Sequence, residues 1–403
     1  MKDVEPFGLV TFVVALAMLA ALASSRISER LGVPAPVVFL VAAAAASNAW
    51  TSLGSLSIKT DQRIVTVALV VILFDGGMHI GWRRLRPNVG AVVWLGIAGT
   101  VVTAGAMSVA AHVLFGFGWR SALLVGTALA PTDPAVVFSV LGRREISGRT
   151  GTLLEGESGA NDPVGIALMI SILGAGSGGG AVLRGVGEFA LQMALGLIIG
   201  VVGGILLRWV VQRVRLPSAA LYPVQTVALA LLVYGGATVA RGSGFLAVFV
   251  AGIVLGDVRW PHRRQVRQFT AALSSVSEIV AFVVLGLSVS LHDVFGDGRV
   301  WTGLALAALL VLVARPLFVG LVLLPVRLNR GERVFVLWSG LKGAVPILLG
   351  TYVVAQGAAN AGRIYDLIFI VVTASVIVQG GLVPIVARRC GVPMRVIDGS
   401  GPT

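Results

Sequence analysis

Apolar runs of about twenty residues recur down the whole chain, separated by short stretches that hold most of the charge. A run of that length is what an α-helix needs to cross the ~30 Å hydrocarbon core of a bilayer. Water is absent from that core, so the backbone must satisfy itself, and repeated runs of this kind fold as a bundle of spanning helices. Composition agrees, with 57% of residues hydrophobic and 12% charged, where a soluble domain carries about 25%. The formal charge of +13 therefore reports orientation in a membrane first. Nucleic acid is not an expected partner, because basic patches interleaved with aromatics are missing.

Cys390 is the single cysteine, which excludes an intramolecular disulfide and a cysteine metal cluster. His79, His112, His262 and His292 follow no metal-binding spacing and read as ordinary loop or interfacial residues. No cofactor is expected, and no enzyme. Asp3 and Glu5 precede the first apolar run, which lacks the basic leader of a signal peptide and is expected to be retained. After the last run only the short stretch Arg388 to Thr403 is left, read as a cytoplasmic tail.

Thirteen spans are expected, at 6–25, 35–52, 62–81, 89–116, 119–142, 151–174, 181–209, 217–240, 243–257, 268–291, 300–325, 332–356 and 363–387. The second ends in polar Asn48, Thr51 and Ser52, and the ninth is short for a span. Alternating the loops from an outside N-terminus puts 21 basic residues on the cytoplasmic side and 8 on the other. Arg83, Arg84, Arg86 and Arg259, Arg263, Arg264, Arg267 are among the first set; Lys59, Arg63 and Arg184 are among the second. That bias predicts an all-α polytopic protein of the plasma (inner) membrane, N-terminus outside and C-terminus cytoplasmic. Two basic residues, Arg315 and Lys342, fall near the middles of spans.

The sixth span carries the strongest chemical signal. Glu157, Ser158, Asn161 and Asp162 precede Pro163 in an otherwise apolar segment. Glu157 and Asn161 share one helix side, and Ser158 and Asp162 another. Counted from Thr152, Asp162 lies roughly 15 Å deep, near the middle of the bilayer. A carboxylate there costs about 2.5–3.5 kcal/mol or more and marks function.

The fifth span contains Pro131-Thr132-Asp133-Pro134, and the twelfth contains Gly340-Leu341-Lys342-Gly343-Ala344-Val345-Pro346. Prolines remove backbone donors and free carbonyls in mid-membrane. A lone proline would read as a packing bend. Two breaks next to ionisable residues occupy the fifth place of each half, if spans 1–6 and 8–13 are inverted six-helix repeats joined by span 7. Paired interruptions of that kind point to a secondary transporter's site. Arg315, followed by Pro316, needs a carboxylate; Glu157 and Asp162 are nearest in depth, and for Glu157 the reading is a structural ion pair. Asp75 and Glu278 read as helix-packing partners, and Gly-rich 174–180 as an external linker.

The segment 157–163, with Pro131 to Pro134, Arg315-Pro316 and 340–346 in the same order, strongly resembles the branch of the monovalent cation:proton antiporters that holds the NhaP-type and the eukaryotic sodium/proton exchangers. The resemblance covers nearly the whole chain. It implies a homodimer with two crossed, interrupted helices in a core domain. Scaffold helices would fall in 1–88 and 217–298, core helices in 89–178 and 299–390, a linker helix in 179–216 and the tail in 391–403. Asp162 would be the cation- and proton-binding carboxylate, with Thr132 and Ser158 as neighbouring oxygen ligands. Asp133 would sit beside the crossing, with Asn161 in the binding motif and Glu157–Arg315 as the core's ion pair. Lys342 stands where the family often has arginine. Asn161 replaces the first aspartate of the electrogenic branch, which implies electroneutral exchange. The nucleotide-sensing domain of many potassium-linked relatives is not seen, so Na⁺, K⁺ and Li⁺ remain open as the cation.

The expected mechanism is competition of one proton and one dehydrated cation for Asp162, with alternating access of the core against the scaffold. Rival readings are a cation channel, which would lack obligate counter-flux, and a non-transporting membrane sensor. An intramembrane hydrolase using Asp133 and Asp162 is disfavoured, because no Ser/His or HExxH partner set accompanies them.

Overall fold

The computed structural model describes residues 34–49, 57–141, 144–146, 148–175, 180–296 and 298–396, together with Gly8 and Leu19. The expected first span falls almost wholly outside the described residues, as does most of the Gly-rich linker. The protein is an all-helical, multi-span membrane protein. Its helices are α1 (Ala35–Ala49), α2 (Ile58–Leu85), α3 (89–115), α4 (Trp119–Ala128), α5 (Ala135–Leu141), α6 (Gly148–Gly174), α7 (Ala181–Arg213) and α8 (Leu221–Val239). They continue with α9 (Gly244–Gly256), α10 (Arg263–Leu287), α11 (Leu291–Gly296), α12 (Arg299–Val322), α13 (Arg330–Trp338), α14 (Ala344–Ala355) and α15 (Ala361–Arg389). Each of the other twelve expected spans coincides with helix, and the fifth and twelfth are each split in two. Boundaries move most at α10, which begins at Arg263 rather than 268. Arg263, Arg264 and Arg267, expected in a loop, are therefore helical.

The chain forms two compact units. The first comprises 1–65, 102–154 and 279–403. In it α15 packs against α12 and α14, and α14 also meets α4. Gly303 of α12 lets that helix approach Ile370 closely, since a Cβ there would stand 2.6 Å from the isoleucine's Cγ2. A small element absent from the sequence expectation joins this unit. Strands β1 (Arg144–Ile146) and β2 (Met394–Val396) pair antiparallel, Ile146 opposite Met394. Nearby, Asn329 and Glu332 close a reciprocal capping box at the start of α13, and Thr150 of α6 donates to Glu332 Oε1 at 3.1 Å.

The second unit comprises 66–101 and 155–278. Its centre is α9, short at 13 residues but with ten of them buried. Gly196, Gly200 and Gly204 form a smooth stripe on α7. A Cβ at these positions would fall within 2.7–2.8 Å of Ser243, Ala247 and Val254, so only glycine admits the α9 backbone. On its other side α9 presents Gly252 and Gly256 to the backbone of Phe74 and Met78 in α2. The loose end of α9 is then closed by charge. Arg263 donates to Gly256 O at 2.5 Å, while Arg267 reaches Met78 O at 2.7 Å and Gly256 O at 3.3 Å. Cations at a helix C-terminus satisfy orphan carbonyls and oppose the dipole. Gly81 kinks α2 with a left-handed φ of 63°, and the Arg83 N–H beyond it donates to Asp257 Oδ2 at 2.5 Å.

Candidate functional site

In the first unit the two interrupted helices cross at their breaks. The chain leaves α4 at Leu129 and resumes as α5 at Ala135; it leaves α13 at Ser339 and resumes as α14 at Ala344. The Asp133 N–H donates to Leu341 O at 2.8 Å, binding one break to the other. Lys342 Nζ donates to Ala130 O at 3.0 Å and Pro131 O at 2.9 Å. Four half-helix ends meet here, and each carries unbonded backbone groups and a share of dipole. The Lys342 ammonium answers the negative end of α4. Asp133 answers the positive end of α5, its Oδ1 accepting from the Ala135 N–H at 2.8 Å. Arg315 answers the negative end of α13, with Nε donating to Leu337 O at 2.8 Å and Nη2 to Val336 O at 3.3 Å. Pro346 sits in the first turn of α14, where a missing N–H is tolerated.

Glycine is obligatory at two of these positions. A Cβ on Gly343 would lie 2.0 Å from Asp133 Oδ2, and one on Gly340 would lie 1.9 Å from the Arg315 guanidinium. The breaks are thus packed around charge, with Arg315 only 3% exposed and Lys342 fully buried. Arg315 reaches its place through a wide π-helical stretch, Leu310–Val319, in which Gly320 N–H bonds back to Arg315 O. Pro316 inside that stretch cannot continue an α ladder, and a widened turn absorbs it.

Sequence reasoning missed the support beneath Lys342. Ser375 Oγ accepts from the Lys342 N–H at 3.3 Å and donates to Gln379 Oε1 at 2.5 Å. Gln379 Nε2 donates to Trp338 O at 3.0 Å, and Trp338 Nε1 returns to Gln379 O at 3.2 Å. Gln379 lies in a second π turn, Val376–Gly380. The available signal was Ser375 and Gln379, polar and four apart in an apolar run. A further missed pair is Arg299–Asp366, 2.5 Å apart with Asp366 nearly buried.

The remaining expected residues lie on α6, in the second unit. Glu157, Ser158, Asn161 and Asp162 are all buried, at 4%, 5%, 2% and 8% exposure. Gly156 and Ala160 of the same helix pack against Val92 and Gly96 of α3. Thr132, at the first unit's crossing, is buried as well. Asp75 shares a hydrogen bond with Thr270 of α10.

The family described as "Sodium/hydrogen exchanger, transmembrane" matches residues 14–389. The K(+)/H(+) antiporter NhaP of Alkalimonas amylolytica is 33% identical over 390 residues, 95% of this chain and 67% of its own length. NhaP2 of Shewanella oneidensis, also a K(+)/H(+) antiporter, is 33% identical over 92% of this chain and 65% of its own. The Na(+)/H(+) antiporter ApNhaP of Aphanothece halophytica is 25% identical over 82% of this chain. The chain thus spans about two thirds of the length of these relatives. Among solved structures, the sodium proton antiporter MjNhaP1 of Methanocaldococcus jannaschii shares the fold. Its TM-score is 0.77 at 21% identity, covering 94% of this chain and all of that one.

Proposed function

This chain belongs to the sodium/hydrogen exchanger family, and from that premise we propose that it exchanges a monovalent cation, Na⁺ or K⁺, for H⁺ across the membrane. The observation that carries the reading is Asp162, a carboxylate 8% exposed within an apolar helix, with Ser158 one turn away on the same side. A carboxylate so placed resists bare ionisation and favours a proton or a cation beside it. The two passengers compete for one seat, so neither crosses except by displacing the other. Thr132, Ser158 and carbonyls freed at the breaks would replace the cation's lost hydration, with Asp133 and Asn161 shaping the site. Pairing of Glu157 with Arg315 would hold the core together.

The crossing supports this reading because its half-helix ends are already neutralised by Lys342, Asp133 and Arg315. Charge added or removed at Asp162 is then the variable that decides which states move. With Asn161 beside Asp162, each cycle carries one cation against one proton and is electroneutral. Core helices in 89–178 and 299–390 would shift against scaffold helices in 1–88 and 217–298, in a homodimer with its N-terminus outside. Relatives named for K⁺ and for Na⁺ leave either ion as substrate.

The test is Asp162→Asn in proteoliposomes, with proton movement followed under Na⁺, K⁺ and Li⁺ gradients. Loss of cation-driven proton flux in a variant that still elutes as one species is expected. Wild-type exchange by that variant would end the assignment.

A further inference from the structure

At one end of the first unit, polar groups from several helices gather around the start of α15, and most of them are matched. Asp366 accepts from Arg299 Nη1 at 2.5 Å. Asn48, near the end of α1, donates to Val289 O at 2.9 Å and accepts from the Leu291 N–H at 3.0 Å. Tyr365 donates to Leu285 O at 3.2 Å, and Ser288 to the same carbonyl at 3.1 Å. Asp61, in the first turn of α2, stands apart. It is 2% exposed, and its Oδ1 is buried without a hydrogen-bond partner. Its charge is within electrostatic reach of the Tyr365 hydroxyl.

The ordinary duties of such a residue fall to others. A first-turn aspartate usually serves the unbonded N–H groups of its helix. Here Ser57 does so, its Oγ accepting from the Thr60 N–H at 3.2 Å and its carbonyl from the Asp61 N–H at 3.1 Å. An ion pair along the helix would need Lys59 or Arg63. Each is two residues from Asp61, toward the opposite side of α2, and both are exposed.

A carboxylate so withdrawn from water needs a counter-charge. The Tyr365 and Ser288 oxygens lie 2.9 Å apart, and with Leu285 O taking a hydrogen from each they have lone pairs left for a further partner. Lone pairs and a carboxylate repel one another unless a cation stands among them. We propose that Asp61, Tyr365 and Ser288 hold a monovalent cation, Na⁺ or K⁺, in a site that uses no residue of α6. One carboxylate supplies a single negative charge, and carboxylate and hydroxyl oxygens suit a hard ion. Bound there, the ion ties the starts of α2 and α15 to the chain that follows α10.

Thermal unfolding of the protein in detergent, titrated with NaCl or KCl against choline chloride at equal ionic strength, tests the site. The titration is run on Asp162→Asn, so that binding at that carboxylate does not contribute. A rise in midpoint of about 2 °C is expected at a Na⁺ or K⁺ concentration ten times the dissociation constant, with none from choline. Asp61→Asn added to that variant should abolish the rise. Tyr365→Phe keeps the ring and removes one oxygen. It should move the titration to concentrations about three- to tenfold higher, and it serves if the Asp61 variant does not fold. A rise equal in choline, no rise at all, or a rise unchanged by Asp61→Asn overturns the site, as does a titration unmoved by Tyr365→Phe. Wild-type exchange by Asp162→Asn would end the transport reading without touching this titration, so the two failures are distinguishable.

Discussion

The Lys342 ammonium lies 2.9 Å from the carbonyl oxygen of Pro131, so the buried cation of the twelfth span is spent on the fifth span's broken end. Its second bond, to Ala130 O, makes the crossing a single charged joint rather than two loose kinks. Replacement by methionine keeps the length of the side chain and leaves both carbonyls buried without donors, at a cost of roughly 1–3 kcal/mol each. Thermal unfolding in detergent should show a lowered midpoint for Lys342→Met, with Lys342→Arg between it and the parent. A methionine variant as stable as the parent would show that the carbonyls are satisfied some other way.

Gly343→Ala should fail where Gly90→Ala succeeds. The first would press a methyl group against Asp133, while the second meets nothing within 4 Å on a helix surface. Overpacking of the first kind costs about 1–3 kcal/mol, and an exposed helical glycine replaced by alanine gains roughly 0.5–1 kcal/mol. Yield of monodisperse protein and unfolding temperature read both signs in one experiment.

Arg299 and Asp366 form a pair whose loss should be asymmetric. Asp366→Leu alone strands a half-buried guanidinium, and breaking a buried pair costs about 3–5 kcal/mol. The double variant Arg299→Met with Asp366→Leu should recover most of that loss. A double-mutant cycle on unfolding midpoints measures the coupling, and strict additivity would mean that the two charges stand independently.

In the proposed one-for-one cycle, exchange should proceed at a rate indifferent to an imposed membrane potential, because one cation and one proton carry equal charge in opposite directions. Vesicles clamped with a potassium–valinomycin gradient, using Na⁺ as the exchanged ion, measure this directly. A steep response would require a second titrating group in the cycle, and Asn161 would then need reinterpretation.

Fold class was legible because hydrophobic length and arginine bias are properties of single segments. The breaks were legible too, because Pro131, Pro134 and Pro346 announce them in the chain itself. What stayed hidden depended on partners far away in sequence. Lys342 gave no sign that it serves Ala130 and Pro131, more than two hundred residues earlier. Arg263 and Arg267 looked like loop charges, yet they finish α9, whose terminal carbonyls no sequence window contains. Glycine was ambiguous in the same way. Nothing in the sequence around Gly196, Gly200 and Gly204 names what they touch, and only the position of α9 shows that they are contact points.

The pairing of β1 with β2 sets a ruler on one end of the molecule. Three backbone pairs register 144–146 against 394–396, and β1 leads within two residues into α6. Any stroke of α6 along its own axis must therefore drag the segment after α15 with it or unzip the ladder. A slip of one position would turn Ile146, now buried, toward the opposite face. The ladder thus holds one register and penalises its neighbours, so a graded movement of the helix would be reported there as pairing either kept or lost.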